Sequence, residues 1–206
     1  MACWQIDCRR LFPARGGGLY AVRAMEHTVR RARTSDVRSI RSLIDGNVTS
    51  GRLLGKATVT LYEDIQEFWV AECALDGPPG GTGGSSSPRE SSRITGCGAL
   101  HVMWEDLAEI RTIAVGEDWQ GHGIGHRLVD ALLQSARELG VGRVFVLTFA
   151  VDFFRGHGFE EISGTPVAPE VYAELLRSYD EGVAEFLDLD AVKPNTLGNT
   201  RMLLWL

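Results

Sequence analysis

One turn in the sequence, Gln120-Gly121-His122-Gly123-Ile124-Gly125, has the residue types and spacing of an anion-binding loop. Three glycines in five residues allow positive φ and let a ligand approach the backbone where a Cβ would collide with it. An amphipathic run follows directly, so the next main-chain N–H groups are unpaired donors at a helix start, in front of the positive end of the helix dipole. Phosphate is the natural occupant of such a site.

Two common phosphate-binding motifs do not fit this turn. A dinucleotide fingerprint places a third glycine where the chain has His126, and no acidic residue ends the next predicted strand. A nucleoside-triphosphate loop requires Gly-Lys followed by Ser or Thr, whereas Gly125 is followed by His126 and Arg127. A turn without a ligand is the remaining alternative that the six residues allow.

The elements around the turn are predicted from hydrophobic periodicity. A strand from Glu109 to Val115 precedes it, and a helix from Ile124 to Leu139 follows it with an apolar residue at each turn of one face. The run from Arg143 to Ala150 is apolar on both faces, which predicts a strand in the middle of its sheet.

The rest of the chain alternates between strand and helix patterns. Before the turn, these are a strand at 27–32, a helix that begins after Thr34-Ser35-Asp36 and weakens at Gly46, a helical segment at 58–66, and strands at 68–75 and 94–104. After the central strand, they are a turn or short helix at 153–157, a strand from Gly158, a helix at 169–178 and a closing strand at 200–206.

Two segments lack such patterns. Residues 76–93 are rich in Gly, Pro and Ser and contain too few apolar residues to order themselves, so we interpret them as a flexible insert within a hairpin loop. Residues 1–24 are predicted to be a disordered extension; an early start codon ahead of Met25, or a transit peptide, is the alternative. One domain, 25–206, accounts for the remainder.

Composition excludes several classes of partner. A net charge of -6 argues against nucleic acid, and the chain has no run of eighteen apolar residues that would cross a membrane. The four cysteines, Cys3, Cys8, Cys73 and Cys97, form no C-x-x-C pair, which predicts reduced thiols in a cytoplasm.

A metal site is not expected at the turn. His122 and His126 lie one helical turn apart, but Gly123 takes the position of the glutamate in the H-E-x-x-H motif. We therefore interpret the two histidines as solvated residues at a helix start.

The spacing of Gln120, Gly123 and Gly125 resembles the Q/R-x-x-G-x-G/A turn of the GNAT acetyltransferases. A second segment, Phe153 to Phe159, resembles the F-Y-x-x-x-G-F sequence that follows the fifth strand in that family, and the predicted element order matches from residue 27 to 206. The resemblance implies an α/β (α+β) GNAT fold: a mixed, mostly antiparallel twisted sheet of six to seven strands flanked by helices.

The chain is similar in particular to the short N-acetylglutamate synthases of the actinobacterial type, which catalyse the first step of arginine synthesis. Five segments carry this similarity: Leu61–Glu63, Glu67–Glu72, Gly96–His101, Glu109–Thr112 and Lys193–Asn199. It implies acetyl-CoA as co-substrate, an amino acid as the small-molecule acceptor and no metal. A homodimer is an option that the sequence leaves open.

The family resemblance assigns a set of residues to the cofactor. The turn would hold the diphosphate of acetyl-CoA through main-chain N–H groups, and the backbone of the preceding strand would meet the pantetheine arm where that strand opens from its neighbour. The residues concerned are Gln120, Gly121, His122, Gly123, Ile124 and Gly125 in the turn, and Ile113, Ala114 and Val115 in the strand.

Phe154, which we also place at the cofactor, departs from the family pattern. Many members have a tyrosine there that protonates the leaving thiolate, and phenylalanine has no hydroxyl to donate. The general acid is then water, a residue such as Tyr172 or Tyr179, or absent. A thiol with a pKa of about 8.5 leaves tolerably well as thiolate.

Three residues are candidates for the acceptor side. An α-ammonium must lose a proton before its nitrogen attacks a thioester. Glu109 is the candidate base, because many relatives place a carboxylate there; a salt-bridged acid is the alternative. Arg111 leaves the same strand face about 7 Å away and suits a carboxylate, unless it pairs with a neighbouring acid such as Glu109. Lys56 would hold the side-chain carboxylate of glutamate, or be solvated.

The predicted function is acetyl transfer from acetyl-CoA to the α-amine of L-glutamate. A GNAT enzyme acting on glutamine, another amino acid or a peptide N-terminus is the first alternative. The second is a non-catalytic module that senses acetyl-CoA, which the phenylalanine at position 154 motivates. We disfavour Cys97 as a covalent acyl carrier, because a small residue within a strand is usually structural.

Overall fold

A seven-stranded mixed sheet organises the computed structural model, which describes residues 27–49, 55–74, 92–189 and 199–206. The predicted N-terminal extension and almost all of the predicted insert lie outside the described residues. The strands are β1 His27–Arg31, β2 Phe68–Ala74, β3 Ser92–Trp104, β4 Leu107–Val115, β5 Arg143–Thr148, β6 Glu160–Glu161 and β7 Thr200–Trp205. Six α-helices accompany them: α1 Val37–Thr49, α2 Thr58–Glu63, α3 Ile124–Glu138, α4 Val151–Arg155, α5 Pro169–Leu175 and α6 Glu181–Phe186.

The strands follow the order β1-β2-β3-β4-β5-β7-β6, and every neighbouring pair is antiparallel except β4 with β5. This arrangement confirms the predicted mixed, mostly antiparallel sheet. The prediction that β5 is central is also confirmed, because β5 lies between β4 and β7. Its alternate side chains enter different cores: Val144 and Val146 contribute to the core beneath α3, and Phe145 contributes to the core beneath α5 and α6.

Helices cover both faces of the sheet. The long helix α3 packs one face through a stripe of buried residues that includes Leu128, Val129 and Leu132, as its 3.6-residue pattern predicts. Helices α1 and α2 cover one half of the opposite face, and α5 and α6 cover the other half. Between these two pairs of helices, the side chains of His101 in β3 and Arg111 in β4 remain partly exposed.

The structure differs from the local predictions at three places. Helix α1 continues through Gly46 to Thr49, because the buried stripe of Val37, Ile40 and Ile44 anchors it and offsets the cost of one glycine, about 1 kcal/mol. The strand after Gly158 has only two residues. Helix α6 was not predicted, since six residues are too short to show a periodicity.

The parallel ladder between β4 and β5 is short. It joins Leu107, Ala108 and Glu109 to Arg143, Val144 and Phe145, and beyond that point the two strands separate. Strand β4 nevertheless continues to Val115, because its other edge pairs with β3. A wedge-shaped gap therefore opens between β4 and β5 and leads toward the glycine turn.

An irregularity in β4 lies beside this gap. Thr112 has φ +62, a left-handed conformation that is strained for a β-branched residue. The register with β3 shifts at the same place, between Cys97 and Ala99. Gly98 stands opposite the irregularity, where a Cβ would lie 2.4 Å from Ile113 Cδ1 and 3.1 Å from Leu132 Cδ1.

We predict opposite effects of alanine at two glycines. Gly98→Ala should lower the free energy of unfolding by about 1–3 kcal/mol, because the new methyl group overpacks Ile113 and Leu132. Gly46→Ala should raise it by about 0.5–1 kcal/mol, because a Cβ there meets nothing within 4 Å and the helix loses its most flexible residue. Urea denaturation measures both, and equal effects of the two variants would contradict the packing described.

Candidate active site

The glycine turn presents main-chain donors that the protein does not use. Gly121 has φ +78 and Gly123 has φ +74, and a Cβ at either position would meet no atom within 4 Å, so conformation rather than space requires glycine there. Gly123 immediately precedes α3, and no side chain caps the helix start. Across the described ranges, no protein group accepts a hydrogen bond from the main-chain N–H groups of residues 121 to 126.

The side chains of the turn have different surroundings. Ile124 is buried between α3 and the sheet, and His122 is exposed with its Nδ1 atom 2.9 Å from the carbonyl oxygen of Gln120. The ring of Phe153 lies under Gly125, 3.4 Å from the position of a Cβ. Main-chain groups, together with the outer side chains Gln120 and His122, are thus what the turn offers to an anion.

The side chains of the other residues that we assigned to the cofactor belong to the hydrophobic core. Ala114 is buried against α1, and Ile113 and Val115 pack partly against α3. Their main chain follows the gap between β4 and β5. Phe154 is 4% exposed and packs edge-on against Phe159, so its ring contributes to the α3 core.

Glu109 is buried although it carries a carboxylate. It is 6% exposed, and its Oε2 atom has no hydrogen-bond partner among the described residues. Gly182, in the first turn of α6, lies against it so closely that a Cβ there would be 2.0 Å from Oε2. Burial raises the pKa of Glu109 to about 7, with Asp180 adding to the effect and Arg111 opposing it. Near neutral pH the group therefore exists in both protonation states.

Arg111 projects from the same face of β4 and is already bound by two acidic side chains. Its Nη1 donates to Asp180 Oδ2 at 2.9 Å, and its Nη2 donates to Glu67 Oε2 at 3.0 Å. Its Nε is buried without a partner in the described part of the chain. Pairing with an acid was the alternative that we considered for Arg111, and the acids are Asp180 and Glu67. A carboxylate ligand must therefore share the guanidinium with them or replace one of them.

His101 completes this arrangement from β3. It is the cross-strand partner of Glu109, and its Nδ1 lies 2.7 Å from Glu67 Oε1. That hydrogen bond is the main cause that raises the pKa of His101. The pKa of Glu67 is lowered, because its hydrogen bonds to His101 and Arg111 outweigh the opposing effect of burial.

Lys56 lies at the outer end of the same group of charges. Its Nζ is 3.9 Å from Asp64 Oδ2, and that oxygen is 3.9 Å from Arg111 Nη2. The structure thus brings the three acceptor-side candidates into one group, which we call the charged cluster. Its members are Lys56, Asp64, Glu67, His101, Glu109, Arg111 and Asp180.

Four members of the charged cluster were missed in the sequence: Asp64, Glu67, His101 and Asp180. Glu67 and His101 begin or end two of the segments that carry the closer family resemblance. Asp180 had a local signal, because its side chain caps α6 by accepting hydrogen bonds from the main chain of Gly182 and Val183.

Cys97 and the histidines near the turn bear on two alternative chemistries, an acyl carrier and a metal site. Burial raises the pKa of Cys97 to about 12, which removes the thiolate that an acyl carrier needs. His126 Nδ1 lies 2.9 Å from His157 Nε2. Of the described side chains, no three His, Cys, Asp or Glu residues come together as metal ligands would.

In the described ranges, no helix combines the length and hydropathy that a bilayer crossing requires.

We predict that Glu109→Gln makes the protein more stable at pH 8. Unfolded glutamate has a pKa near 4.5, so wild-type protein loses stability as the pH rises from 4.5 to about 7 and the folded state must ionise a buried carboxylate. A tenfold change in proton affinity corresponds to about 1.4 kcal/mol, which gives on the order of 3 kcal/mol in total. Glutamine stays neutral at every pH and avoids this loss.

Urea denaturation of both proteins from pH 5 to 8 measures the effect. The stability difference should grow with pH and level off above pH 7. The matched control is Glu105→Gln in the exposed turn between β3 and β4, which should leave the difference constant. A difference between Glu109→Gln and wild type that does not depend on pH would contradict the burial of an ionisable Glu109.

Comparison with known proteins gives the family. A model described as the acetyltransferase (GNAT) family matches residues 60–159. An amino-acid acetyltransferase of Mycobacterium tuberculosis is 58% identical over 177 residues, which are 85% of this chain and 92% of that protein. The solved structure of Rv2747 from Mycobacterium tuberculosis, in complex with CoA and NLQ, has a TM-score of 0.72 at 56% identity and covers 87% of this chain and 99% of its own. A second solved structure is N-acetylglutamate synthase from Neisseria gonorrhoeae, complexed with coenzyme A and N-acetyl-glutamate. Its TM-score is 0.63 at 22% identity, and the match covers 88% of this chain and 35% of that chain. This structure shares the fold. The chain belongs to the GNAT family of acetyltransferases.

Proposed function

We propose that this protein is an amino-acid N-acetyltransferase that moves the acetyl group of acetyl-CoA directly to the α-amine of L-glutamate, the first step of arginine biosynthesis. The observation that carries the proposal is Glu109, a buried carboxylate with a pKa of about 7, located where β4 and β5 begin to separate. The similarity to a Mycobacterium tuberculosis amino-acid acetyltransferase at 58% identity supports the reaction class.

The unpaired main chain supports acetyl-CoA as the co-substrate. Donors of residues 121 to 126 would bind the diphosphate, with the dipole of the fifteen-residue helix α3 behind them. The gap between β4 and β5 would admit the pantetheine arm beside the backbone of Ile113, Ala114 and Val115. CoA is bound in the Mycobacterium tuberculosis structure that shares 56% identity with this chain.

Glu109 would act as the general base. Its ionised form accepts a proton from the substrate ammonium, which frees the nitrogen lone pair for attack on the thioester carbonyl. A base with a pKa near the working pH is partly ionised and still basic enough to remove that proton. Burial beneath Gly182 therefore sets the proton affinity that this step needs.

The leaving thiolate would receive its proton without a tyrosine. Phe154 offers none, Tyr179 is fully exposed, and Tyr172 packs against the core beneath α5 and α6. A thiol with a pKa of about 8.5 departs as thiolate without a dedicated acid, and a proton of the attacking nitrogen can then neutralise it.

The charged cluster supports an amino acid as the acceptor. Arg111 would bind the α-carboxylate through its guanidinium in exchange for Asp180 or Glu67, and Lys56 would hold the side-chain carboxylate of glutamate. The 3.9 Å between Lys56 and Asp64 is too long for a hydrogen bond, so the ammonium can turn to a ligand.

Glutamine is the second candidate acceptor, and the charge balance of the cluster favours it. Four carboxylates, Asp64, Glu67, Glu109 and Asp180, face two permanent cations, Lys56 and Arg111. A neutral side-chain amide adds no further negative charge to this group, whereas glutamate adds one.

The first test follows release of free thiol from acetyl-CoA with each of the twenty amino acids. We expect release with glutamate, and Glu109→Gln should lower kcat by roughly 100- to 10,000-fold with little change in the KM for acetyl-CoA, because only the proton transfer is lost. Glu105→Gln should match wild type. CoA binding without thiol release for any acceptor would instead indicate a sensor of acetyl-CoA.

The second test separates the two carboxylate contacts. Arg111→Lys keeps the charge but loses the planar fork, and should raise the KM for both glutamate and glutamine by roughly tenfold or more, far more than the KM for acetyl-CoA. Lys56→Met should raise the KM for glutamate alone. Equal effects of Arg111→Lys on amino acid and acetyl-CoA would contradict the carboxylate role of Arg111.

A further inference from the structure

The proposed reaction obliges Glu109 to discharge a proton in every catalytic cycle. The C–S bond of the thioester breaks and a C–N bond forms, without oxidation or reduction. Of the three protons on the substrate ammonium, one passes to Glu109, one neutralises the thiolate and one stays on the amide nitrogen. Thiol and amide are both neutral, so one proton must leave the site for solvent. The inference that follows rests on the proposed function.

Among the described residues, Glu109 has little contact with bulk water. Its side chain is buried, Oε2 is out of contact with solvent, and Gly182 closes the side that faces α6. A protonated Glu109 therefore requires a neighbouring group that can accept its proton before the next acceptor binds.

His101 is an ionisable neighbour that also reaches solvent, and unlike Asp180, whose pKa is lowered, it is a base strong enough to take the proton. It stands opposite Glu109 in the β3–β4 register, on the same sheet face, where directly opposite Cβ atoms are about 4.5–5.5 Å apart. The side chain of His101 is 23% exposed. One imidazole thus lies beside the buried carboxylate and is itself partly exposed to solvent.

The hydrogen bond to Glu67 orients the ring for this role. Glu67 is ionised, since its pKa is lowered, and therefore accepts a hydrogen bond from Nδ1–H of His101 at 2.7 Å. The neutral ring then has its lone pair on Nε2. Nε2 lies 3.7 Å from Asp180 Oδ2, the cap of the helix that covers Glu109. The basic atom of His101 is thus directed toward the α6 side of the charged cluster.

We propose that His101 carries the proton from Glu109 to solvent water, and that Glu67 is the positioning residue that keeps Nε2 available. Nε2 takes the proton and the ring becomes an imidazolium. The imidazolium then releases that proton from Nε2 to solvent water, while Nδ1–H stays hydrogen-bonded to Glu67. Glu67, Asp180 and the ionised Glu109 favour the imidazolium, whereas Arg111 and burial oppose it.

The test uses His101→Asn, because an asparagine amide can still donate to Glu67 but cannot take up a proton. With glutamate and acetyl-CoA in dilute, weakly protonating buffer, kcat should fall by roughly tenfold or more and the KM for acetyl-CoA should stay unchanged. Added imidazole should restore kcat in the variant and leave wild type unaffected. Wild-type kcat in His101→Asn, or a loss that imidazole does not relieve, would overturn the relay.

Glu67→Gln tests the positioning residue. Glutamine keeps an acceptor for Nδ1–H but removes the charge, so the pKa of His101 should fall and the limb of the pH–rate profile that depends on it should move to lower pH. A profile that matches wild type would overturn the role given to Glu67.

A measurement without turnover distinguishes failure of the relay from failure of the proposed function. The pKa of His101, followed by NMR titration of the imidazole, should fall in Glu109→Gln because a neighbouring negative charge is lost. An unchanged titration would refute the contact between the two groups even if glutamate is acetylated. Conversely, a shifted titration with no thiol release for any amino acid would overturn the acetyltransferase proposal, and the relay for which it supplies the proton.

Discussion

The burial of one carboxylate governs the site. Glu109 belongs to a strand whose neighbours are core residues, and α6 begins directly over it, so its negative charge has lost most of its hydration. The protein accepts a folded state that is less stable at neutral and alkaline pH than a neutral residue would give. In the proposed reaction this burial gives a base of suitable strength, which agrees with the general tendency of active sites to contain strained or poorly solvated groups.

The charges around Glu109 also connect elements that are distant in the sequence. Arg111 joins the turn that precedes β2, through Glu67, to the start of α6, through Asp180. Because these ion pairs are partly buried, removal of Arg111 takes the guanidinium partner from both Glu67 and Asp180 in a poorly solvated place. The cluster therefore attaches α6 to the sheet, and in the proposed function it would also bind the acceptor, so a ligand carboxylate that competes for Arg111 would act on both.

Local patterns in the sequence were sufficient for the strand, turn and helix around Gly123, since positive φ at glycine and a 3.6-residue apolar stripe are short-range signals. Glu109 and Arg111 could be placed together for the same reason, because alternate residues of a strand share a face. The partners of Arg111 could not, because they lie 69 and 44 residues away along the chain and no local rule reports such a contact. The positive φ of Thr112 could not be predicted for a different reason. It opposes the preference of a β-branched residue and accompanies the shift in the pairing of β3 with β4.

The short ladder between β4 and β5 has a consequence for the stability of the whole molecule. Along the gap, main-chain groups that a regular sheet would pair with a neighbour face no strand among the described residues, so a ligand with amides of its own would complete the hydrogen bonding there. Binding of this kind adds to the folding free energy: at a hundred times the dissociation constant the gain is about 2.7 kcal/mol. A chain that closes its sheet with a bound ligand resists unfolding and proteolysis best when that ligand is abundant.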